Sequence, residues 1–333
     1  MIMPEPIFGI AAGSPPTLDH IVGNERVVRQ IRTALDAYFN DRATVSVHSE
    51  VYSFPHTLLV GSAGLGKSMI AGIIAKELAG ELHEELGQNL ATPMYLHGLL
   101  MLAEPGDCDC VFIDEVHELP NLVQTSLYRA VEERRLFLPT RGGERQNISL
   151  PPFTLVAATT DEWALSKPLR DRFKLILRLE HYSETELEKL LHQRINRLGW
   201  SVTDEALKGI AARGRGTPRI AMRLLEAARR MTRALDETEI TAANLTLTCN
   251  IEEIDSIGLD SLEQRYLRIL NETSDAPLRL NIISTRLGLP TRTIERIIEQ
   301  DLIRLGLVSK DDSGRILTSA GHEHLKQTEK AKK

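Results

Sequence analysis

Hydrophobic positions along this chain arrive in two rhythms. In the first half, short apolar runs predict buried strands: His56-Thr57-Leu58-Leu59-Val60, Cys110-Val111-Phe112-Ile113, Phe153-Thr154-Leu155-Val156-Ala157-Ala158 and Leu175-Ile176-Leu177. Between them, Met69 to Leu78 and Asn121 to Glu133 have helical spacing, as does a segment entered at Leu18-Asp19-His20-Ile21-Val22-Gly23-Asn24 and running to about Phe39. Strands alternating with helices predict a parallel α/β sheet. Leu136-Phe137-Leu138 and Ile148-Ser149-Leu150 flank Arg141-Gly142-Gly143-Glu144, which predicts a β-hairpin with a glycine tip.

From Tyr182 the pattern turns wholly helical. Ser183-Glu184-Thr185-Glu186 is a capping box for a helix to about Leu198, and a further helix starts near Thr203. Thr217-Pro218-Arg219 then supplies an N-cap, a first-turn proline and a first-turn arginine to a helix through Met231. Beyond Asp255, Leu280 to Leu287 and Thr291 to Leu302 read as two short helices around Gly288-Leu289-Pro290, followed by a hairpin on Gly306 to Lys310 and Gly314 to Leu317. That order predicts a winged helix. The predicted organisation is an extended arm at 1–17, an α/β domain at 18–180, a helical lid at 181–255, a winged helix at 256–325 and a lysine-rich solvated tail at 326–333.

Composition narrows the class. The 333 residues, 42% hydrophobic and 26% charged, suit a multidomain globular protein. No run approaches bilayer length, and Met1-Ile2-Met3-Pro4-Glu5-Pro6 lacks the regions of a signal peptide, so no membrane association and a cytoplasmic location are expected. The net charge of −6 argues against indiscriminate coating of nucleic acid but leaves room for a localised DNA contact. Cys108, Cys110 and Cys249 are too few and too scattered for a metal centre and read as buried small hydrophobes.

The chemistry is carried by Gly61-Ser62-Ala63-Gly64-Leu65-Gly66-Lys67-Ser68, which fills every fixed position of the phosphate-loop pattern GxxxxGK[ST] between a predicted strand and a predicted helix. Glycines let such a loop turn successive N–H groups toward a polyphosphate, Lys67 neutralises the β- and γ-phosphates, and Ser68 offers a hydroxyl to Mg²⁺. The next strand ends in Asp114-Glu115, the Walker B arrangement, with Asp114 a metal residue and Glu115 a base for the attacking water. Thr159 and Thr160 end the strand after the hairpin, and Thr160 is placed to hold that water or sense the γ-phosphate; the plainer alternative is two strand-end threonines. Arg170 and Arg172 follow, either as surface salt-bridge partners or, by their place after that strand, as an arginine finger for a neighbouring subunit. In the winged helix Arg286, Arg292, Arg296, Lys310 and Arg315 offer phosphate contacts, opposed by Asp311 and Asp312 at the wing tip.

These motifs, in this order, resemble the AAA+ ATPases and more closely the RuvB family, motors of Holliday-junction branch migration. The resemblance rests on Gly64-Leu65-Gly66-Lys67, Phe112-Ile113-Asp114-Glu115-Val116-His117, Leu150-Pro151-Pro152-Phe153-Thr154-Leu155, Pro168-Leu169-Arg170-Asp171-Arg172-Phe173 and Arg215-Gly216-Thr217-Pro218-Arg219-Ile220-Ala221. It implies ATP and Mg²⁺ as ligands, Thr160 as sensor 1, Arg172 as the finger, and Arg219 as sensor 2 with Pro218 beside it. It also implies Ile21, Val22, Met69 and Tyr182 as nucleotide contacts. A hexameric ring around duplex or junction DNA and an adaptor, RuvA, docked on the hairpin are implied as well.

The chain departs from the family's usual pattern in several places. Ser62-Ala63 stands where Pro-Pro is usual, Pro16-Thr17-Leu18 replaces an Arg-Pro entry, and the segment between Phe39 and His56 is longer. The hairpin is shorter and carries Gln146 and Asn147, which alters the surface for the usual adaptor, and the wing carries Asp311-Asp312 in a region usually basic. A divergent relative serving a different adaptor or a mobile element, rather than the housekeeping motor, fits these changes. The leading expectation is an ATP-driven DNA translocase. Two others stand beside it: a AAA+ loader or remodeller whose winged helix grips a protein, and a nucleotide switch that seldom hydrolyses ATP.

Overall fold

The computed structural model describes residues 17–44, 54–103, 109–139, 145–272 and 276–331. The predicted arm up to Pro16, Cys108, the Arg141–Glu144 hairpin tip and the last two lysines lie outside them. The chain forms two compact units, Met1–Leu198 with Gly216–Arg219, and Gly199–Arg215 with Ile220–Lys333.

In the first unit the described strands are β1 (Thr57–Val60), β2 (Leu82–Leu86), β3 (Cys110–Asp114), β4 (Arg135–Pro139), β5 (Arg145–Ser149), β6 (Thr154–Thr159) and β7 (Leu175–Arg178). Five of them form one parallel sheet in the order β2-β3-β6-β1-β7, while β4 and β5 pair antiparallel as the predicted hairpin. The central strands β3 and β6 are buried along almost their whole length, as their unbroken apolar sequences require. The edge strand β2 reads Leu-His-Glu-Glu-Leu, because it pairs only with β3 and keeps polar side chains half exposed.

Helices α1 (Glu25–Thr44), α2 (Lys67–Glu77), α3 (Pro93–Leu100), α4 (Asn121–Glu133), α5 (Lys167–Arg170) and α6 (Glu184–Leu198) complete this unit. Leu96 and Leu100 of α3 and Val123 and Leu127 of α4 pack with Leu58, Val111, Ile113 and Leu155 of the sheet in one core. Each such buried aliphatic side chain contributes about 1.5–3 kcal/mol relative to exposure. The predicted capping box opens α6: the Glu186 N–H donates to Ser183 Oγ at 3.2 Å and the Ser183 N–H donates to Glu186 Oε2 at 2.7 Å.

The second unit holds α7 (Asp204–Arg213), most of α8 (Pro218–Ala234), α9 (Ala242–Ile251) and the short parallel pair β8 (Ser201–Val202) and β9 (Glu239–Ile240). It continues through α10 (Ser261–Asn271) and α11 (Leu280–Leu287) to a helical stretch from Thr291 to Arg304. That stretch comprises α12 (Thr291–Thr293), a π-helical turn at Ile294–Glu299 and α13 (Gln300–Arg304). The wing strands β10 (Val308–Lys310) and β11 (Arg315–Leu317) pair antiparallel, and Leu278 adds a bridge to Arg315. Tyr266, Leu267, Ile283, Ile294, Ile298, Leu302, Val308 and Leu317 form the winged-helix core. Helix α14 (Ser319–Ala331) carries the chain through Lys326 and Lys330, both exposed, while Leu325 joins that core and His324 Nε2 lies 2.8 Å from Asp255 Oδ2.

Candidate active site

All five strands of the sheet run the same way, so the C-terminal tips of β1, β3 and β6 lie side by side and bring three distant sequence motifs together. The phosphate loop leaves β1, its Gly61 N–H donating to the Thr159 carbonyl at 3.2 Å, and enters α2 at Lys67. Gly64 and Gly66 have φ of +83° and +98°, as the loop's inward-facing N–H groups demand. Lys67 is buried, with Nζ donating to the carbonyls of Gly61 at 2.8 Å and Ser62 at 3.2 Å. Burial pushes its ammonium below the ordinary lysine range, the carboxylates of Glu115 and Asp114 pull the other way, and Arg219 adds to the lowering.

Ser68 Oγ donates to Asp114 Oδ2 at 3.2 Å, which joins the first residue pair expected to share a cation. Glu115 follows in a left-handed conformation with φ of +48°, and its N–H donates to Asp114 Oδ1 at 2.9 Å. Gly87 underlies this turn: a Cβ there would lie 2.4 Å from the Glu115 carbonyl oxygen. Thr160 Oγ1 donates to Glu115 Oε2 at 3.3 Å, so the strand-end threonine and the acidic tip meet directly.

On the other side of the loop, Tyr182 is buried, its hydroxyl donating to the Leu65 carbonyl at 3.4 Å, and burial pushes that hydroxyl's pKa up. Asn24 clamps the segment after Ile21 and Val22: its Nδ2 donates to the Glu180 carbonyl at 3.3 Å and its Oδ1 accepts from the Glu180 N–H at 2.8 Å. Ile21 and Val22 are half exposed beside this clamp, and Met69 projects from α2 with 41% exposure. Pro218 opens α8, and the Arg219 N–H lies 3.4 Å from the Gly64 carbonyl. Sequence reasoning missed the roles of Asn24 and Gly87; Asn24 was visible only as the last residue of the segment entering the first helix.

Arg172 is held elsewhere, with Nη2 2.6 Å from Glu132 Oε2 on α4. Its neighbour Arg170 stacks on Trp163 at 4.5 Å.

In the second unit Arg292 and Arg296 are exposed on the Thr291–Arg304 stretch. Lys310 is exposed too but pairs with Glu295 at 3.0 Å. The reading of Arg315 as a phosphate contact is corrected. It is only 8% exposed, with Nε 2.9 Å from Glu299 Oε1 and Nη2 3.1 Å from both Glu299 Oε2 and Glu295 Oε1. Buried Tyr266 donates to the same Glu299 Oε1 at 2.9 Å, so Arg315 completes an internal network rather than facing outward. Asp311 is likewise occupied, accepting from the N–H groups of Ser313 at 2.9 Å and Gly314 at 3.0 Å to shape the wing turn.

With this strand order and a phosphate loop at the tip of β1, the protein is a P-loop ATPase of the AAA+ type, carrying a lid and a winged helix. Residues 14–179 match the family model described as the Holliday junction DNA helicase RuvB P-loop domain, residues 182–255 the RuvB AAA lid domain and residues 256–326 the RuvB C-terminal winged helix domain. The chain belongs to the RuvB family. It is 36% identical over 315 residues to the Holliday junction branch migration complex subunit RuvB of Neorickettsia sennetsu, covering 93% of this chain and 92% of that one. To the protein of the same name from Thermotoga maritima it is 34% identical over 322 residues, covering 96% and 93%. The solved Thermotoga maritima RuvB Holliday junction branch migration motor superimposes with a TM-score of 0.79 at 33% identity, covering 94% of this chain and 98% of that chain. Among the described residues no helix is long and apolar enough to cross a membrane.

Proposed function

We propose that this chain is an ATP-driven motor that moves duplex DNA at four-way junctions, as a ring of identical subunits. The observation that carries the reading is the meeting of Lys67, Ser68, Asp114, Glu115 and Thr160 at adjoining loop and strand ends in one chain that also carries a winged helix. Lys67 turns from the loop carbonyls to the β- and γ-phosphates of ATP. Ser68 and Asp114, two hard oxygen ligands already 3.2 Å apart, fit Mg²⁺, which would neutralise phosphate charge there. Glu115 accepts the proton of the attacking water as its oxygen bonds the γ-phosphorus and the bond to the leaving ADP oxygen breaks; Thr160 orients that water.

Arg219, whose backbone lies against Gly64, serves as the lid's phosphate sensor, beside Pro218. Ile21, Val22, Met69 and Tyr182 frame the base and sugar. Arg172, on the surface after β6, reaches the γ-phosphate bound by a neighbouring subunit, which couples hydrolysis to ring assembly. Arg292 and Arg296, with Lys310, contact DNA phosphates. The hairpin β4–β5 serves an adaptor related to RuvA but with an altered contact surface.

The test is the ATPase rate without DNA, with linear duplex and with a four-way junction, across a salt series. Stimulation greatest with the junction and weakening as salt rises supports the reading, because phosphate contacts release counterions. Indifference to DNA with stimulation by a protein partner instead identifies a loader or remodeller.

A further inference from the structure

His117 stands two residues after Glu115 in the short turn Val116–Glu118, and nothing in the hydrolysis scheme uses it. Its imidazole is largely buried and touches three groups. Nδ1 lies 3.0 Å from Thr159 Oγ1 and 3.2 Å from Glu115 Oε2, while Nε2 lies 3.4 Å from Glu118 Oε1. A carboxylate can only accept, so the Glu115 contact is attractive when Nδ1 carries the proton, which Thr159 then shares. Thr159 Oγ1 also accepts from the Asp161 N–H at 2.9 Å, which fixes the hydroxyl against the end of β6.

Glu115 Oε2 therefore accepts from Thr160 Oγ1 and lies at ion-pair distance, 3.2 Å, from His117 Nδ1, and both partners are tied to the last residues of β6. The backbone of Glu115 is already locked by its left-handed φ, by its bond to Asp114 and by Gly87 against its carbonyl. Only the side-chain torsions remain, and these two contacts set them. We propose that His117 is a positioning residue that ties the Glu115 carboxylate to Thr159, so that the orientation of the base follows the tip of the strand carrying Thr160. A displacement of that tip then reaches the base through two contacts rather than one.

The proposal rests on Glu115 being the base, and the test separates the two. Full-length His117→Ala, His117→Asn, His117→Gln and Glu115→Gln are compared for steady-state ATP hydrolysis, affinity for a fluorescent ADP analogue and thermal unfolding. Asn presents an amide nitrogen near the Nδ1 place, whereas Gln reaches toward the Nε2 place. Removing a positioning contact is expected to lower kcat of His117→Ala roughly 10- to 100-fold, with KM and nucleotide affinity changed by less than about twofold. His117→Asn is expected to recover to within about threefold of the parent, and His117→Gln to stay low. Parental turnover in His117→Ala, with Glu115→Gln inactive, overturns the proposal. So does an equal loss in all three His117 variants accompanied by weaker nucleotide binding, which marks a purely structural role. Parental turnover in Glu115→Gln instead removes the base assignment itself.

Discussion

A Cβ placed on Gly64 would lie 2.8 Å from the Cβ of Arg219, so the phosphate loop and the first turn of α8 touch with no room for a side chain between them. Gly64 also has φ of +83°, a region that costs other residues about 1–2 kcal/mol. Gly64→Ala meets both penalties at once. Nucleotide affinity is expected to fall more than about tenfold, since a kcal-scale distortion of the loop acts directly on phosphate contacts. Titration with a fluorescent nucleotide checks it, and parental affinity would show that the loop and the helix yield freely.

Lys67 gives a pH signature. Its protonated form binds phosphate, and burial lowers its pKa from the ordinary lysine value, so affinity is full below the lowered pKa and declines as pH rises through it. The decline is expected to begin at lower pH than for an exposed lysine. Lys67→Arg cannot titrate there and is expected to show weaker but pH-independent binding. A Kd series from neutral to alkaline pH compares the two, and identical slopes would remove Lys67 from the phosphate site.

The parallel sheet was legible in the sequence because β1, β3 and β6 are interior strands whose burial demands apolar runs, and because β7, at one edge, still carries the apolar run Leu175-Ile176-Leu177. The edge strand β2 was not, since Glu84 and Glu85 satisfy a strand half open to water as readily as a loop. Helix α3 was hidden for a related reason: it is apolar nearly all round, with Met94 and Tyr95 exposed and Leu96 and Leu100 buried, so its periodicity is blurred. Phosphate-loop and acidic-tip residues declared themselves because their spacing is imposed by chemistry. Arg315 misled, because a cation on a wing strand looks the same in sequence whether it faces DNA or Glu299, and only three-dimensional pairing across 16 positions decides it. The partners of Tyr182, Glu115 and Arg172 were hidden likewise, being contacts between segments far apart in the chain.

Arg172 yields a complementation test. Its ion pair with Glu132 leaves it about one-third exposed on the surface of its own subunit. If it serves a neighbour's site, Arg172→Ala binds nucleotide normally yet hydrolyses it about 10³-fold or more slowly. Lys67→Ala binds none. Mixing the two inactive variants is expected to restore hydrolysis, because Lys67→Ala subunits lend intact arginines to Arg172→Ala sites. Activity in Arg172→Ala alone, or none in the mixture despite assembly, contradicts a shared site.

His56 makes the sheet acid-sensitive. Its Nδ1 accepts the Leu155 N–H at 2.9 Å, and burial, aided by nearby Arg134 and Lys174, lowers its pKa to about 4. Between that value and the unfolded pKa near 6.5 the unfolded chain binds more protons, so stability is full above about pH 6.5 and drains as pH falls toward 4. His56→Asn keeps an acceptor for Leu155 but cannot titrate. Between about pH 6.5 and 4.5 the parent is expected to lose about 2–3 kcal/mol more than the variant in denaturant unfolding. Parallel losses would mean that His56 protonates without cost in the folded state.

The winged helix separates stability from binding in neighbouring residues. Glu299 is almost wholly buried in the π-helical turn, accepting from Tyr266 and from two nitrogens of Arg315. Glu299→Ala strands the Arg315 charge and the Tyr266 hydroxyl together, an uncompensated burial of about 3–5 kcal/mol. Arg292 is exposed on the same stretch, so Arg292→Ala is expected to leave unfolding within about 0.5 kcal/mol of the parent while weakening DNA binding and flattening its salt dependence by about one counterion. Thermal unfolding and DNA titrations at several salt concentrations read both quantities. Arg315→Ala should follow Glu299→Ala, losing stability first, because the cation it removes is turned inward; a variant that kept full stability and lost only DNA affinity would return Arg315 to the binding face.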